Sequence, residues 1–131
     1  MKKLSSQKGQ TLIEMMIALS IVVLVLLALI TLITVSLRNA SFSKNHSLAT
    51  QYAQEALEEV RALRDQEGWE DFEDACDENF SSLLTPLPSM FNRTIDCEGS
   101  VNSKTVTATV SWTDGTGTHN SVLTTHFTQW K

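Results

Sequence analysis

The sequence predicts an α+β chain in which a long N-terminal helix packs on a small three-stranded antiparallel sheet. Three observations predict it. Residues 15–37 (MMIALSIVVLVLLALITLITVSL) hold no charge. No proline or glycine interrupts the chain from Gln10 to Glu67. In the last third the apolar period changes from the 3.6 of a helix to the 2 of a strand.

The apolar stretch comes first. As a helix its 23 residues span about 35 Å at ~1.5 Å per residue, enough to cross a hydrocarbon core of ~30 Å. Its only polar members are Ser20, Thr31, Thr34 and Ser36. Lys2, Lys3 and Lys8 precede it, a flank that favours keeping the N-terminal end in the cytoplasm and sending the rest outside. Arg38 and Lys44 beyond the stretch weaken that bias without reversing it.

The helix is permitted to continue for about 57 residues, near 85 Å. Its second half is amphipathic. Ala49, Ala53, Ala56, Val60 and Leu63 recur at helical spacing, with Tyr52 and Leu57 beside them, while Gln54, Glu55, Glu58, Glu59, Arg61 and Arg64 take other faces. The small alanines suit close approach of a sheet. Glu58 and Glu59 can pair with Arg61 or Arg64 at three- to five-residue separations, of which only those of three and four help much.

Residues 65–78 (DQEGWEDFEDACDE) carry eight acids. Their spacing does not fit an EF-hand loop, and the stretch reads as a solvated loop. It leads through Pro88 in a loop-rich connector with aromatic anchors at Trp69, Phe72 and Phe80.

Three strands follow. Residues 91–98 place Phe91, Ile95 and Cys97 inward. Residues 104–112 alternate strictly, Val106, Ala108, Val110 and Trp112 against Thr105, Thr107, Thr109 and Ser111. Residues 113–120 hold turn chemistry with an Asp-Gly pair, and residues 121–130 return with Leu123, Thr125 and Phe127 on one side. A meander with one apolar face needs cover, and the helix over 46–64 supplies it.

Cys76 and Cys97 both fall in the external region. In an oxidising compartment they can close one disulfide around a loop of about 20 residues, worth roughly 3 kcal/mol; two unpaired thiols are the alternative. Two thiols without histidines at ligand spacing are too few for structural zinc. His46, His119 and His126 are scattered over helix, turn and strand and read as surface histidines. There is no glycine-rich phosphate loop, no H-E-x-x-H and no nucleophile with its base, so nothing supports an enzyme and no cofactor is expected. The net charge of −5 argues against nucleic acid as the main partner, since binding there rests on neutralising phosphates.

One residue departs from these plain readings. Glu14 is a lone acid at the head of the apolar run, where a carboxylate is expensive and a functional role is the default expectation. The small residue Gly9 stands before the apolar run, not after it as in an ordinary secretory signal. Cleavage after Gly9 leaves the apolar helix on the mature chain and makes Gln10 a free α-amino terminus four residues before Glu14. That amine, on the same chain or an offset neighbour, is a positive partner that can set the axial register of helix packing.

The stretch K-G-Q-T-L-I-E-M-M-I-A-L at 8–19 resembles the prepilin signature of the type IV pilin superfamily, which includes type II secretion pseudopilins. The resemblance implies a leader at 1–9 cut after Gly9 by a membrane aspartic prepilin peptidase. It also implies N-methylation of Gln10, and a Glu14 that aligns subunits during assembly. It further implies a transmembrane and filament-core helix over 10–37, an extracytoplasmic domain over 38–131, and partnership with other pilins and an inner-membrane assembly platform. More loosely, A-Q-E-A-L-E-E-V-R-A-L at 53–63 with Trp69, and V-T-A-T-V-S-W with its D-G turn at 106–115, look like minor pilins of the PilV type and minor pseudopilins of the I type. The family most often begins its mature chain with Phe, where Gln10 stands here. Major pilins usually carry a proline inside the apolar helix, and none is present. That absence and the short C-terminal domain point to a minor subunit of a pilus or of type II secretion. A major pilin and a signal-anchored exported binding domain are the other readings.

Overall fold

The computed structural model describes residues 7–78, 80 and 84–129 of the 131-residue chain. Helix α1 runs Gln7–Glu67, a second helix α2 runs Trp69–Asp77, and three strands follow, β1 Phe91–Ser100, β2 Ser103–Asp114 and β3 Gly117–Thr128. The class is α+β, a long N-terminal helix with a small antiparallel sheet of order β1-β2-β3. The chain divides into two compact units, one ending at Phe42 and one spanning Ser43–Lys131.

In the first unit α1 is helical throughout the described residues, and every residue from Thr11 to Phe42 is exposed. Three of the hydroxyls there are satisfied by the helix itself. Ser20 Oγ donates to the Met16 carbonyl at 2.8 Å, Thr31 Oγ1 to Leu27 at 2.9 Å and Thr34 Oγ1 to Ile30 at 2.9 Å. Each of these three hydroxyls is thus returned to its own helix, in a stretch whose surface is mostly leucine, isoleucine and valine.

The second unit is built around one core. Ala49, Ala53 and Ala56 are fully buried, with Leu57 and Val60 beside them and Leu63 partly so. Facing them are Val106, Ala108, Val110 and Trp112 of β2, Phe91 and Ile95 of β1, and Phe127 of β3. Alanine at three successive turns of α1 presents small side chains to the sheet, and the bulk of the core comes from the sheet side. Tyr52 meets Phe91 edge-on at 5.2 Å between centroids. Thr50 Oγ1 and Ser121 Oγ lie 2.9 Å apart and tie helix to β3.

The sheet register is continuous. β1 pairs with β2 from Phe91↔Trp112 to Ser100↔Ser103, and β2 pairs with β3 from Ser103↔Thr128 to Asp114↔Gly117. The strands are longer than the alternation alone marks, and the second turn is only Gly115–Thr116. Asp114 accounts for the tight turn by capping it, since its carboxylate accepts from the Thr116 amide at 2.8 Å and from the Thr116 hydroxyl. At the β1 end Gly99 has a φ of +147°, and a Cβ there would overlap the Ser103 carbonyl oxygen. Only glycine fits that hairpin. Trp130, assigned to the third strand by its sequence pattern, lies outside the described residues.

One expectation needs correction. The acidic stretch 65–78 is not a solvated loop. α1 continues to Glu67, Gly68 breaks it with φ 103°, and α2 occupies Trp69–Asp77. Phe72, Ala75 and Cys76 turn inward at helical spacing while the acids take the outer side. Glu70 and Asp71 sit in the first turn, where a helix favours negative charge. Phe72 stacks near Phe127 (5.3 Å) and Phe80 (5.9 Å), so the aromatic anchors extend the core and do not merely pin a loop.

Candidate functional site

The residues singled out at the N-terminus lie on one helical element. Gly9 and Gln10 are within the first turns of α1, whose backbone is helical from Gln7. The remainder of the expected leader, residues 1–6, lies outside the described residues. Glu14 follows Gln10 by one turn and is exposed. Around it Leu12, Ile13, Met15, Met16 and Ile17 are all more than half exposed. The helix is long and apolar enough to cross a membrane. A carboxylate set one turn from the start of such a surface has few ways to be satisfied there except by a cation brought to it.

In the second unit the two cysteines are already engaged. Cys76 and Cys97 are bonded to each other, with Cα atoms 5.6 Å apart, linking α2 to β1. Two further contacts hold the same junction. Trp69 Nε1 donates to the Val101 carbonyl at 2.8 Å, and Lys104 Nζ lies 3.2 Å from a Glu73 oxygen. The acids of α2 face outward, and among the described residues no three His, Cys, Asp or Glu side chains gather where a metal ion could be held.

The histidines are structural neighbours of aromatic and hydroxyl groups. His46 and His119 both lie against Trp112, at 6.0 and 5.4 Å between ring centroids, and His126 Nδ1 sits 2.9 Å from Thr105 Oγ1. His119 Nε2 is also 3.2 Å from Asp114 Oδ1 and 3.0 Å from Thr116 Oγ1. The Thr116 hydroxyl and amide, with a lesser contribution from His119, hold the Asp114 carboxyl down to about 2, below the ordinary carboxylate range, against the opposing effect of desolvation. This is a turn lock, not a catalytic arrangement. The Asp-Gly pair marked the turn in the sequence, but nothing there marked His119 as its third member.

Sequence spacing also left out a clamp over the outer face of α1. Glu59 takes hydrogen bonds from the Thr85 amide, at 3.2 Å, and from the Thr85 hydroxyl; Arg93 Nη2 donates to the Thr85 carbonyl at 2.7 Å. Of the intrahelical pairs expected, Glu58 with Arg61 forms at 2.6 Å, whereas Arg64 turns to Asp65 at 2.7 Å and lies over Phe127. Glu59 is drawn instead to the connector, because a backbone amide and a hydroxyl together satisfy a carboxylate better than one exposed guanidinium.

The geometry therefore isolates the head of α1 as the place where sequence and structure combine into something other than a packed core. No curated protein and no solved structure matches the chain. One family model does match, over residues 4–34, and it covers the whole of Gly9, Gln10 and Glu14 together with most of the apolar stretch. The chain carries the prokaryotic N-terminal methylation motif, the type IV pilin signal.

Proposed function

We propose that this chain is a minor subunit of a type IV pilus-like filament, acting in initiation or at the tip. The observation that carries the reading is the register of Gly9, Gln10 and Glu14 ahead of an apolar helix that holds no charge between Met15 and Leu37. Prepilin peptidase cuts after Gly9, the new α-amine of Gln10 is methylated, and the chain waits in the cytoplasmic membrane with its C-terminal domain outside. Residues 10–37 then pass from lipid into a bundle of similar helices. Leaving lipid for such a bundle costs little, because one apolar surround replaces another. The contact between Glu14 and a terminal amine adds direction to that otherwise unspecific packing. Residues 38–131 form the outer domain and select neighbours.

The proline-free apolar helix supports a minor over a major subunit. The test is mass spectrometry of the mature N-terminus combined with stoichiometry in sheared filaments. A terminus at Gln10 and a share of a few subunits per filament are expected. An intact Met1 overturns the filament reading, and a dominant share makes the chain the major subunit. Recovery in a filament that needs a secretin and its partners assigns it to type II secretion as a minor pseudopilin.

A further inference from the structure

We infer that Gln10, once it becomes N-terminal, is a cyclisation site whose ring closure competes with methylation and removes the amine that Glu14 uses. The inference rests on the cleavage reading above. In the uncut chain the Gln10 nitrogen is an amide bonded to Gly9 and is not nucleophilic. After the cut it is a primary amine on a residue whose own side chain ends in a carboxamide. The α-nitrogen attacks Cδ, the N–Cδ bond forms, the Cδ–Nε2 bond breaks, and ammonia leaves carrying the proton the amine gives up. The product is a five-membered lactam, and no oxidant, reductant or co-reactant is consumed.

The placement of Gln10 decides whether this happens. Gly9 and Gln10 are both helical in α1, so the cut leaves Gln10 as the first residue of a helix. The first four amide groups of a helix have no acceptor within it and its first turn frays. A glutamine at a free N-terminus can bring its own carboxamide to its α-nitrogen, because the ring that forms has only five members. An α-amine titrates near pH 8, so on the order of a tenth of it is uncharged and reactive at neutral pH. Glu14 acts on the same group from the other side. Its exposed carboxylate stands one turn along α1, and by pairing with the ammonium it holds the amine in the unreactive form.

Ring closure is consequential because the lactam nitrogen carries no charge. A cyclised subunit keeps its apolar helix and its Glu14 but forfeits the positive partner. A phenylalanine at this position, with no carboxamide, lacks this route. The glutamine here thus gives the chain a chemical lifetime in the assembly-competent form, set by how soon methylation or a neighbour's carboxylate engages the amine.

The experiment is N-terminal peptide mass spectrometry of the full chain, isolated from membranes of cells that contain the peptidase. A heavy-isotope synthetic peptide with an open Gln terminus is added at lysis to report ring closure during handling. The expected result is a mature terminus lacking one ammonia, at a fraction above that of the heavy standard, and none of it in Gln10→Phe. An N-terminus found only open or methylated, a cyclised fraction equal to the standard's, or the same species in Gln10→Phe overturns the inference while leaving the cleavage reading intact. A retained Met1 overturns the cleavage reading itself, and with it the inference.

Discussion

Cys76 of α2 and Cys97 of β1 are joined across a sequence separation of 21 residues, and the bond closes the corner where the acidic segment meets the sheet. Trp69 and Glu73 make their contacts to Val101 and Lys104 at the same corner. The disulfide is therefore the covalent tie at this corner, beside these two polar contacts. Cys97→Ser is expected to destabilise the domain by about 2–4 kcal/mol. Denaturant unfolding with and without reductant measures it, and reductant should lower the wild type to the level of the variant.

The alanine face of α1 tolerates no added bulk. Ala53 is fully buried against a sheet whose facing residues include Trp112 and Val110. Ala53→Leu is expected to cost about 1–3 kcal/mol through overpacking, read as a lower midpoint at unchanged slope in urea. Gln54→Leu, on the exposed neighbouring position, should change stability by less than about 0.5 kcal/mol.

Asp114 imposes a pH dependence on the β2–β3 turn. Its carboxyl is lowered to about 2 by Thr116 and His119, below the unfolded value of ~3.9. A carboxylate depressed in the folded state contributes stability that is fully present above its unfolded value and is lost as pH falls through its folded value. Asp114→Asn should thus melt below wild type at pH 7, and the two melting temperatures should converge as pH falls from about 4 to about 2. Parallel curves over that window would show that the turn lock does not contribute.

Glu14→Gln removes a charge from an exposed position on α1 without touching the core of Ser43–Lys131. The variant should accumulate in membranes as wild type does and fall about tenfold in sheared filaments, which corresponds to ~1.4 kcal/mol of lost contact. Quantitative immunoblotting of membrane and sheared fractions decides it, and equal incorporation would remove Glu14 from the assembly contact.

Much of this molecule was legible in its sequence because the signals are local. The absence of proline and glycine from Gln10 to Glu67, and Gly68 after it, gives the course of α1 almost to the residue. The strict alternation of Val106, Ala108, Val110 and Trp112 gives the buried face of β2, since successive side chains of a strand must point to opposite sides. The head of α1 was legible for the same reason, as Gly9, Gln10 and Glu14 fall within two turns of one element.

Tertiary structure decided what depended on distant partners. The acids of 65–78 outweigh their apolar neighbours in composition, and α2 forms because Phe72, Ala75 and Cys76 find a core supplied by Phe80, Phe127 and β1. Glu59 bonds Thr85, 26 residues away, over Arg61 and Arg64 nearby. His119 and His46 approach Trp112 from different elements. Periodicity says which face of a segment is buried. Which groups meet across that face is set by chain reversals that place residues far apart in sequence within bonding distance.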